Sequence, residues 1–237
     1  MTNFGQRLLL FLIGLPLLLG IVIFFDRYSH SGWAVVVILV TFLAGRETIK
    51  LFAPAVPRYY TWIIPILAAF LPLVVYLALI FESGFSFFNA AMVLSISFIL
   101  VAELVRWKPE QPQNFSRNTI DLLGALIYPG FFMAYTIRFL EFSHPLAVIL
   151  LFLLVNFSND TFAYLFGIVA GKNSPKVVPV SPKKTRIGFI GGFIGSIAVG
   201  SVFYLFAPHI FAVQLPLLIP YFLLIGLCAA IGDLIES

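Results

Sequence analysis

The feature that most constrains this chain is a series of eight long apolar runs with only short polar gaps between them. They cover approximately Leu8–Phe25, Gly32–Leu51, Thr61–Phe81, Phe85–Val105, Thr119–Leu140, Pro145–Ala170, Ile187–Phe206 and Pro216–Glu236. About 20 mostly apolar residues suffice to cross a bilayer as a helix. Only 10% of the residues are charged, against about 25% in a soluble domain, so the chain reads as an integral membrane protein. Lipid offers backbone groups no hydrogen-bond partner, which leaves helices or a closed barrel. The runs are continuous rather than alternating. The expected fold is therefore all-α, a polytopic transmembrane bundle of about eight spans.

No gap is long enough to build a soluble core. The chain reads as one membrane domain, with N-terminal helices over residues 1–144 and the main polar motifs over 145–237. The first run lacks a small-residue cleavage site and is read as a retained helix rather than a secretory signal. The second run ends in Arg46, Glu47 and Lys50, so it is expected to be short or to continue along the interface. Interior prolines such as Pro16, Pro72 and Pro129 kink helices in lipid without forbidding them. A single cysteine, Cys228, excludes an internal disulfide and a cysteine-based zinc site.

The distribution of lysine and arginine sets the orientation. With the N-terminus inside, the fourteen basic side chains divide twelve to two, only Arg27 and Arg138 falling outside. The C-terminus is then cytosolic as well. So is the loop Gly171–Arg186, "GKNSPKVVPVSPKKTR", which holds five basic residues and no acidic one. Such a loop can simply anchor the chain to an anionic leaflet. Ser181 and Thr185, however, frame Lys183 and Lys184 with hydroxyl groups, and the loop runs directly into a helix start. Exposed N–H groups there, together with flexible ammonium groups, suit a nucleotide or a phospholipid headgroup. The pairs Gly188/Gly192 and Gly191/Gly195 have the G-x-x-x-G spacing of close helix packing.

In "LLVNFSNDTFAYLFG", Asn156, Asp160 and Tyr164 share one helical face, flanked by Asn159 and Thr161. Asp160 lies about 16 Å of helical rise before Gly171, deep in the inner half of the bilayer. A carboxylate there calls for a partner or a polar cavity. Asp233 and Glu236 share a face at the cytosolic end of the last run. Asp160 and Asp233, at compatible depth beside a basic loop, would suit Mg²⁺ held between protein and phosphates. His30, His144 and His209 are scattered on the outer side and predict no metal site. Glu103, Arg106, Arg117 and Asp121 flank a cytosolic loop and read as interfacial.

Three blocks taken together, "NDTFAYLFGIVAGKN", "SPKKTRIGFIGG" and "IGDLIES", resemble the phosphatidate cytidylyltransferases, or CDP-diacylglycerol synthases. Their order and approximate spacing match, over roughly Asn156–Ser237. The resemblance implies transfer of a cytidylyl group from CTP to phosphatidic acid, with Mg²⁺ required. It implies Asp160 and Asp233 as catalytic and cation-holding residues. Ser181, Lys183, Lys184, Thr185, Asn156 and Tyr164 would contact substrate. Partners implied are CTP, phosphatidic acid and membrane lipids; no nucleic acid is expected, and a homodimer is left open. Short loops point to a bacterial inner membrane. Two departures stand out. Arg186-Ile187 replaces the Trp-Glu that usually follows S-P-K-K-T, and the family's longest signature only begins at Ser237. The chain is therefore expected to be a truncated member with a partial catalytic region. The alternatives are a CTP-dependent kinase of a polyprenol or similar lipid, and a non-catalytic membrane protein.

Overall fold

The structure is a computed structural model, and it describes residues 15–24, 31–54, 56–109, 112–171, 174–175 and 184–235. The chain divides into two compact units, Met1–Phe142 and Ser143–Ser237, where the sequence suggests one domain with a change of character at residue 144. Described residues contain no strand. In the first unit the elements are α1 (Leu15–Phe24), α2 (Ser31–Phe52), α3 (Tyr60–Ile80), α4 (Ser86–Arg106) and α5 (Pro112–Leu126). A π turn (Ile127–Phe131), a short α6 (Phe132–Ile137) and a 3-10 turn (Arg138–Glu141) continue α5 into one long rod. The second unit holds α7 (Pro145–Val169), α8 (Arg186–Phe206) and α9 (Leu215–Ile235).

Six helices among the described residues are long and apolar enough to cross a membrane, against the eight spans expected. They are α3, α4, the rod over Gln113–Glu141, α7, α8 and α9. Of the first expected span, residues 15–24 are described and form α1. α2 coincides with the second and carries Arg46, Glu47 and Lys50 near its end. The rod begins seven residues before the expected Thr119, because the amphipathic stretch Pro112–Asn118 winds as helix although it is polar.

Proline shows how the first unit copes with a dry environment. Pro129 has no N–H and its ring crowds the carbonyl of Ala125 one turn earlier. The chain widens into the π turn there, and the Thr48 hydroxyl on α2 donates to the freed Ala125 carbonyl at 3.3 Å. Gly130, next along, lets the rod approach α3: a Cβ at that position would stand 3.0 Å from Ala68 Cα. The Trp33 indole closes the other end of the unit by donating to the Thr136 carbonyl at 2.9 Å. Thr48→Val keeps the shape of the side chain but orphans the Ala125 carbonyl. It is expected to lower stability by about 1–3 kcal/mol, the cost of a buried unsatisfied acceptor, read as a lower unfolding midpoint in detergent.

Charge gathers at the ends of the first unit. Arg46 stacks over Trp62 at 4.6 Å, at the same end as Arg58, Arg106 and Lys108. At the opposite end Arg138 pairs with Glu141 at 2.9 Å and lies 4.8 Å over the Phe85 ring. This segregation is what a membrane-spanning unit requires.

Candidate active site

The second unit is built on glycine. α7 and α8 run antiparallel so closely that a Cβ on Gly188 would meet the Ala163 carbonyl oxygen at 2.9 Å. One on Gly191 would meet Phe166 Cβ at 2.5 Å, and one on Gly195 would meet Phe162 Cβ at 2.7 Å. Both G-x-x-x-G pairs are therefore packing faces, as their spacing suggests. In lipid, where no hydrophobic effect draws helices together, such contact supplies the van der Waals attraction that does. α9 joins through Gly200, whose missing side chain makes room for the Phe222 ring.

A buried polar pair marks the level where the three helices meet. The Ser196 hydroxyl on α8 donates to Asn159 Oδ1 on α7 at 3.4 Å. Gly226 of α9 sits against both, since a Cβ there would be 2.6 Å from Ser196 Oγ and 3.3 Å from Asn159 Oδ1. Asn159 is 3% exposed, whereas its neighbour Asp160 is exposed. α7 turns its Ser158–Asn159 edge inward. Asn156 is half-buried and donates to the Phe152 carbonyl of its own helix at 2.7 Å. Tyr164 is also half-buried.

The same layer fixes the register of the two aspartates. Asp160 stands next to Asn159, level with Gly226, and Asp233 follows Gly226 by seven residues. Seven residues of helix correspond to about 10 Å of rise between the Gly226 and Asp233 backbones. Among the described residues no group of three or more His, Cys, Asp or Glu side chains gathers into a metal site.

Asp233 meets the basic loop. Lys184 Nζ lies 2.6 Å from Asp233 Oδ2, with the lysine side chain 19% exposed and the aspartate 61%. The ammonium atom is shielded from solvent and makes no further hydrogen bond to a described residue. Thr185 then caps α8, its Oγ1 accepting from the Gly188 N–H at 3.2 Å. Ser174 Oγ accepts from the Ile187 N–H at 3.3 Å, and the Pro175 carbonyl accepts from the Arg186 N–H at 3.1 Å. The first three N–H groups of α8 are thus all bonded within the protein. The open helix N-terminus expected from sequence is closed, and among the described residues Lys184 and Arg186 supply the positive charge at this end. Ser181 and Lys183 lie outside the described residues, as do Glu236 and Ser237. On the far end of the unit His144 and His209, distant in sequence, bring their rings to 6.0 Å.

Comparison with known proteins gives this arrangement a context. A family model described as "Cytidylyltransferase family" matches residues 5–237. A phosphatidate cytidylyltransferase of Staphylococcus saprophyticus is 36% identical over 146 residues, covering 61% of this chain and 52% of that protein. One of Chlamydia muridarum is 40% identical over 84 residues, 34% of this chain and 27% of that protein. One of Chlamydia trachomatis is 43% identical over 86 residues, with the same shares. The chain thus spans between about a quarter and about half the length of the curated relatives it matches. The family model runs over both units, from the first apolar run to the end of α9, and the chain belongs to the cytidylyltransferase family.

Proposed function

We propose that the chain serves transfer of a cytidylyl group from CTP to phosphatidic acid, giving CDP-diacylglycerol and pyrophosphate in phospholipid synthesis. The observation that carries this reading is Lys184, a shielded ammonium held by one carboxylate oxygen at the loop end of a glycine-packed bundle. Family membership and the names of the relatives support the same chemistry. In the reaction a phosphate oxygen of phosphatidate attacks the α-phosphorus of CTP. The bond from that phosphorus to the α–β bridging oxygen breaks, and pyrophosphate leaves with the electron pair. Both reactants are anions, so bringing them together requires cations already fixed in place. Asp233 holds Lys184 in position, and Lys184 and Lys183 bind phosphate. Ser181 and Thr185 frame them, while Asp160, with Asn156 and Tyr164 on its face of α7, shapes the deeper polar layer.

Magnesium belongs to the same proposal. Asp233, beside Lys184, and Asp160 would hold it jointly with nucleotide phosphates, where it would neutralise charge on the leaving group. The proposed setting is a bacterial inner membrane with both termini and the loop cytosolic, and a homodimer is compatible with it.

Label position tests the reading. Purified full chain in lipid–detergent micelles is supplied with phosphatidic acid, Mg²⁺ and CTP labelled at the α- or γ-phosphorus. The α-label is expected in lipid. The γ-label in lipid, with a polyprenol or similar alcohol as acceptor, would assign a kinase instead. Neither label in lipid, together with no saturable CTP binding, would make the chain a non-catalytic membrane protein.

A further inference from the structure

A second polar site lies in the first unit. Glu103 on α4 is 2% exposed, a position where an ionised carboxylate is costly unless fully partnered. It is partnered from three elements. Tyr60 at the start of α3 donates its hydroxyl to Oε1 at 2.7 Å, Asn118 on α5 donates its amide to Oε2 at 3.3 Å, and Arg106 donates from Nη1 to Oε1. The Arg106 guanidinium is also held from above, 5.5 Å from the centroid of the Tyr60 ring. The sequence presents these residues as interfacial charges; the structure builds them into a fixed network.

The network forms one wall of a cavity of about 200 Å³, with Trp107, Lys108 and Asn114 among its other lining residues. That is smaller than the ~300–1,000 Å³ of sites that enclose drug-sized ligands, so it is too small for a nucleotide. Its lining holds two cations, Arg106 and Lys108, against one carboxylate already satisfied by protein donors. Lys108 makes no ion pair with a described residue. Tyr59, Trp62 and Trp107 at this end are about half exposed, the belt of aromatics that marks a lipid–water boundary. A helix end with two basic residues would by itself only complement the dipole and anchor the chain. Anchoring does not need a buried carboxylate, a tyrosine and an amide from three elements to hold one guanidinium in a fixed direction.

The geometry points to a site for a phosphate group, carried by an anionic lipid headgroup, at the Arg106–Lys108 cavity of the first unit. Arg106 supplies oriented donors, Lys108 a movable charge, and Asn114 an amide at the rim. All its residues belong to the first unit, and the proposal does not rest on the reading of Lys184.

A photoactivatable short-chain phosphatidylglycerol, which is not the proposed substrate, tests it on the full chain in detergent. Mass spectrometry is expected to map its crosslinks to peptides within residues 103–118, at least about fivefold above a diacylglycerol probe lacking phosphate. Lys108→Gln is expected to reduce that labelling about fivefold with an unchanged unfolding midpoint. Asn114→Asp, which puts a negative charge at the rim, should reduce it too, and Lys184→Gln should not. Competition by inorganic phosphate at concentrations where dihexanoyl-phosphatidylglycerol competes would show that free phosphate occupies the same site; no competition would reserve it for lipid. Equal labelling by the phosphate-free probe, or labelling indifferent to both Lys108→Gln and Asn114→Asp, overturns the proposal.

Discussion

Lys184→Met is expected to weaken CTP binding about 100-fold while leaving the fold intact. Methionine keeps the unbranched apolar stem and its packing, so only the charge is lost. The partner left behind, Asp233, is 61% exposed and tolerates the loss of its counterion. The shielded ammonium is a different matter, because removing one partner of a desolvated charge pair with phosphate costs on the order of 2–5 kcal/mol. The reciprocal change, Asp233→Asn, reverses the pattern. It strands a 19%-exposed ammonium without a counterion, so the unfolding midpoint should fall while phosphate can still restore a partner when nucleotide is added. Titration of both variants with CTP, alongside thermal unfolding with and without nucleotide, separates the two effects. Wild-type CTP affinity in Lys184→Met would remove Lys184 from the site.

Gly191→Val should be the most damaging single substitution in the second unit. Even the first added atom would lie 2.5 Å from both Cβ and Cγ of Phe166, the stiff base of that side chain rather than its mobile end. α7 and α8 must separate to admit it. Overpacking of this kind costs about 1–3 kcal/mol, and separation also breaks the Ser196–Asn159 pair. The unfolding midpoint should drop sharply and nucleotide binding with it. Gly20→Ala is the matched control: nothing lies within 4 Å of its added Cβ, so no loss is expected. A Gly191→Val protein as stable as the control would show that the helices are not held by this contact.

What the sequence made legible follows from range. The glycine faces of α8 could be read because their spacing of four is itself the geometry of contact. Helix limits such as those of α7 and α8 lie within a residue or two of the apolar runs, since lipid permits little else. The Glu103 network could not be read: its partners Tyr60 and Asn118 are 43 and 15 residues away, and only packing brings them together. That Asn159 is the residue turned inward could not be read for a related reason. Adjacent residues on a helix differ by about 100° in direction, and which one faces inward depends on where α8 and α9 lie, a fact no local pattern holds. Ser174 and Pro175 carried no signal at all as caps of α8, because their role depends on the loop folding back to meet residues eleven to thirteen positions later.

The closed start of α8 bears on how selective this end of the molecule can be. Amides fixed on a helix end recognise an anion by direction as well as charge, and so measure the shape of a phosphate group. Here those amides already have their partners in Thr185, Ser174 and Pro175. An ammonium group is a point charge that attracts any polyphosphate, whatever base it carries, and that attraction weakens as ionic strength rises. On the proposed reading, discrimination between one nucleotide and another would therefore arise at the base and ribose, away from the charges that draw the nucleotide in.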